Sequence, residues 1–249
     1  MKVHTHFEDV RYGLRMLARS SGFTAVVILT LALGIGANTA IFSMVNAVLL
    51  KSLPVEKPEE LVVLKYSDPQ PGQLNEDFSY PMYQSIRDKN GSFSGVLAGS
   101  GIELNVGYGG ESEQLYGELV SGNYFPTLGV QPWLGRLFTD DDDRVPGRHP
   151  VAVLSHGYWQ RRFASDPSIV GKQIILNARP MTIIGVTPPG FYGTELARNP
   201  GVGVPMMMAT VFRPVPANRL ENPRHRWMTT LARRPARPAT LVDPIEALR

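Results

Sequence analysis

Several groups of residues in this sequence have the types or spacing that could support chemistry, but none completes a site. The five histidines could bind a metal, yet they form no HExxH pair, and the close pair His4 and His6 precedes a long apolar segment. Gly171 and Lys172 resemble part of a Walker A loop, but the first Gly and the final Ser or Thr of that motif are replaced. The sequence therefore predicts no ATP binding through that loop.

Two further short motifs also fall short of a catalytic or cofactor site. Gly107 and Gly109 begin a dinucleotide-binding pattern, but Ser112 stands in place of its third glycine, and the segment is better explained as a hairpin turn. Ser155 and His156 are adjacent, and adjacent side chains on a helix diverge, so they cannot act as a nucleophile and base. We expect Ser155 to cap a helix instead.

The acidic run Asp140–Asp143 is the strongest candidate for a cation site, because hard cations take several oxygen ligands. Consecutive carboxylates point in different directions and lack the alternate spacing of a calcium loop. We therefore expect a solvated acidic turn that caps a following element. The chain has no cysteine, which excludes thiolate ligands and a thiol nucleophile. The sequence predicts no catalytic residue, cofactor or metal site, and no enzyme activity of its own.

Residues 22–50 contain no charged residue and no histidine. A bilayer core about 30 Å thick needs about 20 apolar residues as helix, so this run predicts one transmembrane helix. A cleavable signal is the alternative, but its apolar region has about 7–15 residues, which favours a retained anchor. By the positive-inside tendency, the excess of basic residues before the run keeps the N-terminus cytoplasmic and places everything after residue 50 outside. Those residues are Lys2, Arg11, Arg15 and Arg19.

The cytoplasmic segment, residues 1–21, carries its own helical pattern. Arg11, Arg15 and Arg19 recur every four residues, while apolar residues follow another face. This pattern is typical of an amphipathic helix on the membrane surface, with the arginines near anionic lipid. A solvated basic segment before an ordinary anchor is the other interpretation.

Small residues recur on one face of the predicted transmembrane helix. Such residues let a second helix approach closely, which is how membrane helices associate when the hydrophobic effect cannot drive them. We expect a helix-packing face there, although in a lone anchor the same residues would have no function. The face consists of Ala32, Gly36, Ala40, Ser43 and Ala47.

The remaining residues predict an α+β domain over residues 51–232, with a mixed and mostly antiparallel sheet. Ser79 is expected to cap a helix over residues 80–89, and Gly109-Gly110 and residues 177–179 are expected to be hairpin turns. Residues 61–66 and 202–209 are expected to be strands, the latter carrying three methionines as core filling. The net charge of only +3 gives no indication of a nucleic-acid partner.

Several collinear segments carry a family resemblance. RYGLRMLARSSGFTAVVILTLALGIGANTAIFSMVNAVLL is similar to the N-terminus of the MacB/FtsX-like ABC-transporter permeases, especially the large orphan permeases abundant in acidobacteria. GNYFPTLGVQPWLGRLFTDDDD, AVLSHGYWQRRFASDPSIVGKQIILN and MTIIGVTPPGF resemble the periplasmic core domain of that family. The resemblance covers about residues 7–232.

The resemblance implies a bacterial inner-membrane permease component without ATPase activity, working with a separate or fused ATPase subunit. It implies a homodimer or association with a full-length permease, and a periplasmic domain that couples ATP-driven motion to efflux or envelope work. The alternatives are a single-anchor periplasmic binding or scaffold protein and, less consistent with the motifs, an anchored enzyme.

The sequence also departs from the family pattern. Full permeases of this type have at least four membrane helices, whereas this chain has one predicted span. Residues 233–249, an Arg/Pro-rich tail, resemble the extreme C-terminus of full permeases. We therefore expect a shortened permease whose periplasmic domain is incomplete.

Overall fold

The computed structural model describes residues 20–49, 55–67, 74–194, 198–212 and 220–235. The chain divides into two compact units, Met1–Ser52 and Leu53–Arg249. We call the second unit the lobe.

In the described part of the first unit, a long helix, α1, covers Ser21–Leu49. At about 1.5 Å per residue its 29 residues extend about 43 Å, more than the thickness of a bilayer core. No proline interrupts it, and the hydroxyls of Thr30 and Thr39 donate to the carbonyls of Val26 and Ile35 within the helix. The predicted helix of residues 22–50 is therefore present as one continuous element.

The lobe contains short helices between strands. Its α-helices are α2 (Tyr80–Lys89), α3 (Tyr124–Leu128), α4 (His156–Phe163) and α5 (Ala209–Phe212). Within the described residues of the lobe, four 3-10 helices cover Pro58–Glu60, Asp140–Asp143, Pro167–Ile169 and Met206–Met208.

The strands of the lobe are mostly short, with two long exceptions that form a hairpin. The short early strands are β1 (Leu61–Val63), β2 (Tyr66–Ser67), β3 (Leu74–Asn75) and β4 (Asp77–Phe78). The hairpin consists of β5 (Gly95–Tyr108) and β6 (Glu111–Val120). The later strands are β7 (Leu134–Gly135), β8 (Val151–Leu154), β9 (Gln173–Leu176), β10 (Arg179–Val186), β11 (Val202–Pro205) and β12 (Met228–Arg233).

Six of these strands pair in a closed ring. The order around it is β5, β6, β11, β8, β10 and β9, and β9 returns to β5 through the pairs Val106 with Leu176 and Gly107 with Ile175. The β6/β11 and β8/β10 pairs are parallel and the other four are antiparallel. Strands β12 and β1 extend the sheet from β5. The predicted mixed, mostly antiparallel α+β fold is therefore confirmed.

The first and last described strands of the lobe are neighbours. In β1, Leu61 pairs with Arg233 of β12 in an antiparallel ladder. The Arg233 side chain strengthens this join, because its Nε donates to the Thr127 carbonyl at 2.7 Å and its guanidinium pairs with Glu60 at 3.3 Å. The chain thus enters and leaves the described lobe at one edge of the sheet.

Alternation along β5 divides the lobe into two apolar clusters. Leu104 and Val106 belong to the larger cluster, which also contains Trp159 of α4, whereas Leu97 belongs to a smaller cluster beneath α3. Successive side chains of a strand point to opposite faces, which explains how one strand supplies both clusters. Trp159 itself is buried.

Two helix caps predicted from the sequence are present. Ser79 accepts a hydrogen bond from the Met82 N–H at the start of α2, and Ser155 accepts one from the Tyr158 N–H at the start of α4. Each satisfies one of the N–H groups that a first helical turn leaves unbonded.

Two strand predictions were partly wrong. The strand expected over residues 202–209 ends at Pro205, and the three methionines form a 3-10 helix. The Met207 N–H donates to the Asp143 carboxylate and is therefore not available to a strand ladder. All three methionines are buried, as expected for core filling. The strand expected over residues 61–66 ends at Val63, and a separate strand begins at Tyr66.

The β9/β10 hairpin supplies a test of backbone strain. Its two-residue turn, Asn177 and Ala178, has positive φ at both positions, 46° and 63°. Type I′ turns require this geometry and favour Gly at the second position, whereas a Cβ there is strained. We expect Ala178→Gly to raise the free energy of unfolding by about 0.5 to 1 kcal/mol.

Denaturant unfolding of the detergent-solubilised chain measures this effect. All three tryptophans lie in the lobe, so their fluorescence reports on that unit alone. Ala178→Val is the opposite control, because a β-branched residue at positive φ is more strained still. Lower stability of the glycine variant would contradict the assigned turn.

Candidate functional site

The surface of α1 is apolar on every side. Nine large apolar side chains between Phe23 and Phe42 are 58–73% exposed within this structure. A helix that is hydrophobic all round requires an apolar surrounding. Among the described residues, this is the one helix long and apolar enough to cross a membrane, and its qualifying stretch is Ser21–Ser43.

The predicted packing residues fall on one face of this helix because they are spaced by three or four positions. Ala32, Gly36, Ala40 and Ser43 are exposed, and a Cβ placed on Gly36 would meet no atom within 4 Å. Ala47 belongs to the same helix, but its side chain lies outside the described part. Whether a second helix packs there remains a prediction. The predicted membrane-surface residues Arg11, Arg15 and Arg19 lie outside the described residues.

In the lobe, the acidic run forms the 3-10 helix Asp140–Asp143, and its four carboxylates divide into two pairs. Asp140 and Asp141 are exposed, as the predicted solvated turn requires. Asp142 is buried and Asp143 is half-buried. For these two the prediction of a solvated acidic turn was wrong, because each carboxylate has specific partners inside the lobe.

Asp142 holds the turn to the preceding segment. Its two oxygens accept from both terminal nitrogens of Arg136, at 2.6 and 2.9 Å, and from the Thr139 N–H at 3.0 Å. Burial alone would raise the pKa of Asp142, but the hydrogen bonds from Arg136 and Thr139 stabilise its charged form, and the net pKa is lowered. The bidentate geometry makes this a strong ion pair.

Asp143 joins three separate segments. One oxygen accepts from the Gly122 N–H at 3.0 Å and the other from the Met207 N–H at 2.7 Å. Burial raises the pKa of Asp143 to about 7, although both N–H groups oppose that rise. Gly122 allows the close approach, because a Cβ there would lie 2.8 Å from the Asp140 Cα. The carboxylate therefore links the acidic turn to the start of α3 and to the methionine helix.

An open cleft of about 430 Å³ lies between α2 and the acidic turn. Arg87, Asp88 and Arg144 are among the residues that line it. Arg87 pairs with Asp88 at 2.8 Å, and Arg144 pairs with Asp141 at 2.7 Å. Because both oxygens of Asp143 already accept backbone hydrogen bonds, this side chain acts as a structural link. The described residues contain no group of three or more His, Asp or Glu suited to hold a metal ion.

Ser155 and His156 have separate roles, as predicted. The Ser155 hydroxyl caps α4, while the His156 ring packs edge-on against Trp133 and Trp159, with ring centroids 5.5 Å apart in both cases. Trp133 is 57% exposed and is the largest apolar side chain on the described surface of the lobe.

Sequence reasoning missed a second buried carboxylate, Glu118 of β6. It is only 5% exposed and accepts from the Tyr124 hydroxyl at 3.2 Å. Burial, and next the Glu118 charge, raise the pKa of Tyr124. The sequence feature that could have revealed this buried carboxylate is the alternation of side-chain directions along β6, because it places Glu118 on the same face as the buried Val120.

The pKa of Asp143 makes a prediction about stability. A carboxyl group with a pKa of about 7 in the folded lobe and 3.8 when unfolded binds its proton more tightly in the folded state. Its contribution is fully present below pH 3.8 and is lost as the pH rises through 7. We expect the free energy of unfolding of the unmodified chain, relative to Asp143→Asn, to fall as the pH rises from 4 to 7.

Tryptophan-monitored unfolding of both proteins at several pH values gives this difference, and groups common to both cancel. Asp141→Asn is the matched control, because Asp141 is exposed in the same turn. Parallel pH profiles of the unmodified chain and Asp143→Asn would contradict the assigned environment of Asp143.

Comparison with known proteins connects the helix and the lobe to a single family. The profile of the MacB-like periplasmic core domain matches residues 24–248. A macrolide export ATP-binding/permease protein, MacB, from Aggregatibacter actinomycetemcomitans is 29% identical over 199 residues. This match covers 75% of the chain and 28% of the relative, so the chain spans under a third of that relative's length.

Two solved structures have a similar fold. The periplasmic region of MacB from Actinobacillus actinomycetemcomitans has a TM-score of 0.50 at 16% identity, covering 76% of this chain and 78% of that one. The extracellular domain of the noncanonic ABC-type transporter YknZ from Gram-positive bacteria also has a TM-score of 0.50, at 15% identity, covering 76% and 86%. The fold of the lobe and the sequence match agree, and the chain belongs to the MacB-like periplasmic core domain family.

Proposed function

We propose that this chain is a membrane-anchored permease component of a MacB/FtsX-like ABC transporter. The observation that carries the proposal is the extent of the family match, which begins at residue 24 inside α1 and continues through the lobe. The apolar helix and the α+β lobe are thus matched as parts of one family member. An anchor and a domain outside the membrane are the two parts that such a component needs.

The proposed location is the bacterial inner membrane, crossed once. The basic residues before α1 keep the N-terminus in the cytoplasm by the positive-inside tendency, and the lobe lies in the periplasm. Arg11, Arg15 and Arg19 recur at helical spacing in residues 1–21, and we assign them to the anionic inner surface of the bilayer.

ATP hydrolysis in this proposal belongs to a partner subunit of the ABC type. The chain itself has Asp166 and Gln173 where a Walker A loop needs Gly and Ser or Thr. Asp166 instead caps the 3-10 helix Pro167–Ile169 by accepting from the Ser168 N–H at 2.8 Å. The partner's conformational cycle would reach the lobe through α1, and the lobe would act on a substrate or envelope component in efflux or related work.

Copurification tests the proposed partnership. The tagged chain, extracted from its native membrane in mild detergent, should enrich a protein that carries an intact Walker A motif, identified by mass spectrometry. The control bait is an unrelated single-span protein with the same tag. Equal recovery of ATPases with both baits would contradict the transporter role and favour a single-anchor periplasmic binding or scaffold protein.

The same proposal includes a helix-packing face on α1, formed by Ala32, Gly36, Ala40, Ser43 and Ala47. It would support a homodimer or association with a full-length permease. Small side chains allow two helix backbones to approach, and van der Waals packing then stabilises the pair in lipid. Gly36 lies at the centre of this face.

Gly36→Leu should weaken this association several-fold, because the new side chain keeps the two backbones apart. Gly34→Leu is a matched control: it makes the same change about 160° around the helix, and a Cβ placed on either glycine would meet no atom of its own chain within 4 Å. Fluorescence energy transfer between labelled chains in bilayers measures association. Equal loss in both variants would contradict the assigned face.

A further inference from the structure

One short motif in the lobe has the pattern of a modification site. Residues 88–92 read Asp-Lys-Asn-Gly-Ser and span the C-terminal end of α2. Asparagine followed two positions later by Ser or Thr is the acceptor pattern for N-linked glycans, and no asparagine in the sequence other than Asn90 has it. Bacterial oligosaccharyltransferases commonly require an acidic residue two positions before the asparagine as well, and Asp88 stands there.

Because a motif this short also occurs by chance, its structural context decides whether it can act as an acceptor. A glycan is bulky, so the asparagine has to lie in a turn at the surface. Asn90 is the C-cap of α2, and its N–H donates to the Ile86 carbonyl at 3.0 Å. Its backbone is extended, with a ψ of 137°. The chain therefore leaves the helix at this residue and reaches β5 through residues 91–94.

The residues of the motif lie at the surface of the lobe. Gly91 and Ser92 are exposed, and Asn90 is half-buried. The Asp88 side chain is 59% exposed. A Cβ placed on Gly91 would meet no described atom within 4 Å. Among the described residues, nothing therefore covers the turn directly after the acceptor asparagine.

The carboxamide of Asn90 is oriented by two hydrogen bonds and still has an N–H to lose. Its Oδ1 accepts from the Phe93 N–H at 2.7 Å, which closes a turn over residues 90–93 that includes Ser92. Its Nδ2 donates to the Arg87 carbonyl at 3.2 Å. Nδ2 carries two hydrogens, and this contact uses one of them. A glycosylated amide keeps one N–H, so the bond to Arg87 is compatible with modification.

We propose that Asn90 is an acceptor site for an N-linked glycan. This inference rests on the proposed location of the lobe in the periplasm, where bacteria carry out this reaction. The donor is an oligosaccharide joined through pyrophosphate to a polyprenyl lipid. Nδ2 of Asn90 attacks the anomeric carbon of the sugar, a C–N bond forms, and the bond from that carbon to the pyrophosphate oxygen breaks. The lipid pyrophosphate leaves, and one Nδ2 proton passes to a base of the transferase.

A purified bacterial oligosaccharyltransferase and its lipid-linked donor test the site independently of membrane topology. The folded full chain in detergent should gain the mass of one oligosaccharide, and Asn90→Gln should gain none. A synthetic peptide of residues 84–96 is tested beside it, with an enzyme that modifies a standard acceptor peptide. Failure of the folded chain to gain this mass, whether or not the peptide does, would overturn the proposal.

A second variant leaves the asparagine in place. Ser92→Ala should abolish the gain in mass, because the motif requires a hydroxyl two positions after the asparagine. Ser94→Ala is the matched control, since Ser94 is also exposed but lies outside the motif, and it should be modified as fully as the unmodified chain. Equal modification of these two variants would show that the motif is not what the enzyme recognises and would count against the proposal.

Expression of the full chain in bacteria that contain the same transferase and donor separates the site from its location. Modification both in detergent and in cells supports the acceptor site and the periplasmic location of the lobe. Modification in detergent but not in cells supports the acceptor site and contradicts the location proposed for the lobe.

Discussion

Strand β5 is the element on which the lobe depends, because it belongs to the closed ring and also carries the extension formed by β12 and β1. Its first part pairs with β12, most of its length pairs with β6, and its last part pairs with β9. The contact with β9 closes the ring, and the pairing with β12 brings β1 to the sheet. One strand therefore joins the closed ring to the edge at which the chain enters and leaves.

Carboxylates inside the lobe connect segments that the ring alone does not join. Asp142 fixes the acidic turn to Arg136, and Asp143 reaches the start of α3 and the methionine helix. Both accept hydrogen bonds from neighbouring segments, which offsets part of the cost of removing a carboxylate from water. Burial raises the pKa of Asp143, and its backbone N–H partners lack the formal charge with which Arg136 lowers the pKa of Asp142.

The elements that sequence reasoning identified are those specified by nearby residues. The apolar run of α1, the serine caps of α2 and α4, and the turns at Gly109 and Asn177 each depend on a few consecutive positions. The burial of the inward-facing carboxylates does not depend on consecutive positions. Asp143 resembles Asp141 in sequence, and only the arrival of Gly122 and Met207 from distant parts of the chain distinguishes the two. Glu118 is likewise approached by Gly193, 75 positions away, where a Cβ would lie 2.8 Å from its Oε2.

The pairing of Leu61 with Arg233 has a consequence for how such a lobe can be built into larger proteins. A domain whose two ends emerge side by side can interrupt another polypeptide without separating the segments on either side. Gain, loss or exchange of the whole module would then leave the geometry of its host unchanged. Evolution could then vary such a lobe while the rest of its host stays in place.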